Sequence, residues 1–96
     1  MRYDHFKRVE SFTGYFPDSL ELKEGVLYVS FFRGNRRGTA KHICPCGCGN
    51  VVVTPINIPS AWSYSEGKEG LPTLNPSILN PCGAHYFIRD GRIVTA

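Results

Sequence analysis

From Ser19 onward, apolar and polar residues alternate with a period of two, the pattern of strands that turn one side toward a core. Ser19–Leu22 and Val26–Phe32 read as two strands joined by a tight turn over residues 23–25. Val26, Tyr28, Ser30 and Phe32 share one side of the second, and Leu27, Val29 and Phe31 share the other. Both sides are largely apolar, which predicts a central strand or one covered by the N-terminal residues. Thr39–Ile43 and Asn50–Thr54 resume the pattern, so the cysteine-rich segment between them becomes a hairpin turn. Pro55 and Pro59 interrupt the next stretch; residues 61–64 form a brief strand and residues 65–70 an exposed turn. Three prolines within residues 71–81 exclude a regular helix and predict a stiffened loop or an interrupted edge strand. His85–Thr95 carries Asp90-Gly91 between apolar β-formers, a strong hairpin signal. Residues 1–18 mix charges with Tyr3, Phe6, Phe12, Tyr15 and Phe16, and form either a short helix over about residues 3–11 or an extended arm packed on the sheet. The expectation is an all-β fold, a small and mainly antiparallel sheet or sandwich, with its β core over residues 19–96.

Length makes this one domain: 96 residues can bury one modest core, and an internal staple would help offset the ordering entropy of the backbone. The four cysteines do not look like a secreted disulfide framework. Cys44, Cys46 and Cys48 are two residues apart, a spacing that suits ordinary disulfide geometry poorly. The N-terminus has no apolar signal-like stretch, and no apolar run approaches the length of a membrane span. A cytoplasmic, reducing address with no membrane attachment is therefore the expectation, and there such a cluster binds metal or does chemistry.

The candidate ligands are Cys44, Cys46 and Cys48 in the first turn and Cys82 and His85 before the last hairpin. Zinc takes four ligands at tetrahedral corners and accepts thiolate and imidazole together. Gly47 and Gly49 let the first turn curl, and Gly83 and Ala84 keep the second compact. Five residues compete for four places, and spacing alone does not separate the three cysteines of the first turn. The expected set is Cys82 and His85 with two of those three, a Cys3His zinc site that leaves one thiol over. Thr73 and Ser77 are candidates to support a ligand by hydrogen bonding, with turn capping as the alternative role. A redox or nucleophilic thiol is the competing chemistry, though no C-x-x-C pair exists.

The ligand layout resembles, distantly, that of Rieske proteins, which makes a two-iron, two-sulfur cluster the alternative cofactor. Cysteine stands here where those proteins have histidine in the first box, a set familiar for zinc. The segments C44-P-C-G-C-G49, Trp62, L71-P-T-L-N-P-S-I78 and C82-G-A-H-Y-F-I-R-D-G-R-I93 together resemble an uncharacterised family of small bacterial and phage proteins. That resemblance implies a compact β domain with a metal site, and some members are encoded beside bacterial ubiquitin-like conjugation systems. It implies no established reaction.

Formal charge is +3, which permits nucleic-acid contact without requiring it. Arg33, Arg36 and Arg37 are the one dense basic cluster, suited to phosphate or an acidic partner, and Lys41 and His42 extend it toward the metal turn. Trp62 and Tyr64 read as core or rim aromatics covering the site, with a peptide-binding surface as the alternative. The leading functional expectation is a protein-interaction module built on a closed, structural zinc site. The alternatives are a metal-dependent, hydrolase-like enzyme with an open metal position, and a nucleic-acid-binding protein acting through Arg33, Arg36 and Arg37. The metalloenzyme would need a base, for which Glu66, Glu69 and Asp90 are available, but no H-E-x-x-H signature places one of them.

Overall fold

The computed structural model describes residues 1–67 and 69–96; Lys68, within the turn expected over residues 65–70, lies outside the described residues. Among the described residues, eight strands form two sheets. β1 (Arg8–Thr13), β2 (Val26–Phe31), β3 (Gly38–Ile43) and β4 (Val51–Ile56) make the first, in that order. β5 (Ser63–Glu66), β6 (Pro72–Leu79), β7 (His85–Arg89) and β8 (Arg92–Thr95) make the second, also in chain order. Every neighbouring pair is antiparallel except β1 with β2. The all-β expectation therefore holds, as a sandwich.

Between the sheets lie Leu27, Val29, Ala40 and Ile56 from the first and Tyr64, Leu74, Ile78, Tyr86 and Ile88 from the second. Each large apolar side chain among them contributes about 1.5–3 kcal/mol on burial. Alternation along β2 sends Leu27 and Val29 into this core. Tyr28 and Ser30 point the other way and are buried too, because residues 14–23 fold over them. Lys23 N donates to Tyr28 Oη at 2.9 Å, and Ser30 Oγ donates to the carbonyl of Gly14.

That cover corrects one expectation: residues 19–22 are not a strand. Leu20 N turns back onto Pro17 O at 3.0 Å, and the place beside β2 is taken by β1. The N-terminal residues are the extended arm, not a helix. Phe6 N donates to Gly91 O and Ile93 N to Asp4 O, so the arm runs along β8 before crossing to the first sheet, with Phe6 buried on the way.

The proline-rich segment forms β6, which pairs with β5 through Pro72–Asn75 and with β7 on its other side. Its register on β7 shifts between Leu74 and Ile78, across the cis Asn75–Pro76 bond. Such an irregularity re-aims the side chains beyond it. The β7–β8 turn is the expected Asp90-Gly91 pair, both with positive φ (48° and 78°), as a type I′ turn requires.

Candidate active site and metal centre

Cys44 directly follows β3 and Cys48 precedes β4, so the first three cysteines occupy the hairpin turn that their sequence predicts. Cys44 N donates to Asn50 O at 2.9 Å and closes the turn, and Gly47 takes a φ of 94° that a side chain would oppose. A Cβ at Gly47 would also lie 2.6 Å from Arg2 Cδ, because the N-terminal arm crosses this turn. Cys82 arrives from the other sheet, in the β6–β7 loop. There Asn80 N donates to Ala84 O at 2.9 Å and Gly83 N to Asn80 O at 2.8 Å.

The four cysteine sulfurs lie within 4.8 Å of one another. Cys44 is 3.4 Å from Cys46 and 3.6 Å from Cys82, and Cys46 is 3.6 Å from Cys82. A tetrahedral zinc with Zn–S near 2.3 Å sets its sulfurs about 3.8 Å apart, so the cluster fits one ion. As free thiols Cys44, Cys46 and Cys82 are dissimilar. Backbone donation from Ala84 brings Cys82 down to about 7, the Cys48 thiol pushes Cys46 up to about 12, and desolvation raises Cys44. A bound cation is what would hold all four as thiolates together.

The expected Cys3His set is thereby corrected to four sulfurs, with no cysteine left over. His85 stands outside the group. Its neighbour is Ser77: Ser77 Oγ and His85 Nε2 are 2.9 Å apart. The two residues sit on adjacent strands, eight positions apart across the loop that carries Cys82. Leu79 faces His85 in the β6–β7 register, and Ser77 lies on the same outer side of β6, which leaves the pair open to solvent. No carboxylate bonds to His85 among the described residues. Trp62 Nε1 reaches Ser77 O at 3.3 Å, which ties the residue's backbone to the neck before β5.

Thr73 lies at the far end of β6, where its Oγ1 accepts from Asp90 N at 2.9 Å, the turn-capping role. The arginines are remote from the cysteines, in the β2–β3 loop at the opposite end of β3. Arg36 packs its guanidinium 4.4 Å over the Phe31 ring, while Arg33 and Arg37 are exposed. His42 does not extend a basic stripe: it is fully buried, and burial lowers its pKa to about 4. Its Nε2 is 2.7 Å from Tyr86 Oη, and Tyr86 Oη in turn accepts from Asn80 Nδ2 at 3.0 Å. Sequence reasoning passed over Asn80 and gave Tyr86 no functional role, pairing it with Ile88 without fixing which side of the strand is buried. The alternation of β7 offered the one signal, since it puts Tyr86 beside Ile88 on the buried side.

No curated protein and no solved structure matches the chain. A family model does match, over residues 12–96, under the description bacterial ubiquitination-like system serine protease. The match covers β2 to β8, the last two residues of β1 and both cysteine turns, and it replaces the view of an uncharacterised family with a named one. With the match spanning that much of the sequence, the chain belongs to the BubE family of bacterial ubiquitination-like system serine proteases.

Proposed function

We propose that this protein is a serine peptidase that uses Ser77 as nucleophile and His85 as general base, on a fold held by one zinc ion in the four-cysteine site. The observation that carries the reading is the 2.9 Å contact between Ser77 Oγ and His85 Nε2 on an exposed face. A serine hydroxyl is a weak nucleophile until a base within hydrogen-bond reach takes its proton, and imidazole is the side chain suited to that task near neutral pH. As base, His85 accepts at Nε2 and so carries its own proton on Nδ1.

The step is acyl transfer. Ser77 Oγ adds to the scissile carbonyl while its proton passes to His85 Nε2; the tetrahedral adduct then collapses, and His85 returns that proton to the departing amine. Water, deprotonated by the same imidazole, releases the acyl group and restores Ser77. The family description supports a substrate from a ubiquitin-like conjugation system, with cleavage of the peptide or isopeptide bond after the modifier's C-terminal residue.

The metal belongs to the fold under this reading. Four cysteines fill a tetrahedral shell and leave no position for water, as in structural zinc sites. Sulfurs this close together also favour a single ion over a two-iron cluster, whose ligands divide between two metals. This reading keeps hydrolysis from the metalloenzyme expectation but gives the metal no open position and no part in the chemistry. The test is cleavage of a ubiquitin-like modifier carrying a C-terminal peptide extension. Zinc-loaded protein should release the extension, and Ser77→Ala with its zinc intact should not. Equal cleavage by the two would reject the assignment.

A further inference from the structure

The fold contains a buried polar chain that the proposed chemistry does not use, running from the metal centre to the strand of His85. Asn80 is 8% exposed. Its Nδ2 has two hydrogens and two acceptors: Cys44 Sγ at 3.3 Å and Tyr86 Oη at 3.0 Å. Tyr86 Oη, having accepted from Asn80, also bonds His42 Nε2 at 2.7 Å. The other ring nitrogen of His42, Nδ1, is buried with no partner among the described residues. Turning the Asn80 amide away would leave Tyr86 Oη and Cys44 Sγ without its hydrogens, at the cost of two buried hydrogen bonds.

The location gives the chain its consequence. Asn80 is the residue after β6, Tyr86 is next to His85 on β7, and Ile78, next to Ser77, is paired with Tyr86 across the two strands. Asn80 also closes the loop between them through both of its backbone groups. The register that sets Ser77 against His85 is therefore pinned from beneath by one amide, and that amide is held by a cysteine of the other sheet. β6 needs such a pin, because its pairing with β7 is already irregular between Leu74 and Ile78.

We infer that Asn80, acting through Tyr86, is a positioning residue that couples the geometry of the four-cysteine site to the Ser77–His85 pair. The inference rests on the serine-peptidase reading for its effect on rate, and on the contacts alone for its effect on His85. Outer hydrogen bonds to metal ligands are worth about 10- to 100-fold in affinity or activity when removed.

The test compares zinc-loaded wild type, Asn80→Ala and Tyr86→Phe, with Val29→Ala as a control that loosens the core away from this chain. Two quantities are read: the pH titration of the His85 imidazole by nitrogen-15 NMR, and the rate at which a fluorophosphonate labels Ser77. Both variants should keep zinc, displace the His85 titration curve from that of wild type and label about 10-fold more slowly, while the control leaves the curve in place. If Asn80→Ala comes without zinc, Tyr86→Phe decides on the same curves. Superimposable His85 titrations in wild type and both variants, or an equal movement in the control, overturn the inference. A wild type that does not label, with a His85 midpoint that still moves in the variants, overturns the peptidase reading instead and leaves the positioning role standing.

Discussion

The two sheets contribute to the site in unequal ways. The first supplies Cys44, Cys46 and Cys48 from one regular hairpin whose strands alternate without a break. The second supplies Cys82 and also carries Ser77 and His85, on a strand pair whose register slips. A site that needs residues from both sheets staples them; a site contained within one hairpin can be exposed and adjusted without loosening the sandwich. Under the proposed function the cysteines and the Ser77–His85 pair divide fold from chemistry, although one loop, Asn80–Ala84, serves both.

The sharpest way to break that comparison is to remove the staple. Chelation of the metal, or Cys82→Ser, should cost on the order of 10 kcal/mol of folding free energy and unfold the chain, as followed by circular dichroism. A chain that stays folded without metal would show that the sheets do not need the staple. Next in size, Ser77→Ala and His85→Ala should each lower cleavage about 1,000-fold or more while metal content and melting temperature stay near those of wild type. Loss of metal in His85→Ala would return that residue to the ligand set.

A smaller effect concerns His42, which sits under the first sheet's contribution. Its folded-state pKa of about 4 lies below the ordinary 6.5, so the unfolded chain binds the extra proton first. Stability is therefore full above pH 6.5 and falls as pH drops toward 4, by roughly 3 kcal/mol at most. His42→Gln should flatten this part of the urea-denaturation profile relative to wild type between about pH 7 and 5. Parallel profiles would remove His42 from the account. The smallest change is expected at the arginine loop: Arg33→Ala and Arg37→Ala should alter stability by less than about 0.5 kcal/mol and leave fluorophosphonate labelling unchanged.

Much of the fold was legible because period-two alternation is a direct record of which side meets the core. Val26–Phe31, Thr39–Ile43 and the Asp90-Gly91 hairpin all read correctly for that reason. Residues 19–22 misled because Leu20 and Leu22 alternate like a strand but cover the outer side of β2 as a loop. Arg8–Thr13 carries one apolar position per polar neighbour only weakly, and its parallel pairing with β2 is a long-range contact that no local pattern records. Ser77 and His85 both stand out in the sequence, but for a different chemistry. A histidine three residues after a cysteine looks like a ligand, and only the register of β6 on β7 reveals that its ring meets a serine hydroxyl. Asn80 was silent because buried amides have no sequence pattern of their own.

The most direct test of the central claim is peptide mapping of zinc-loaded protein after treatment with a fluorophosphonate. The account predicts a single adduct on Ser77, absent from His85→Ala, with the four cysteines still holding one zinc. An adduct on another residue, or none on a folded, zinc-loaded chain, would contradict it.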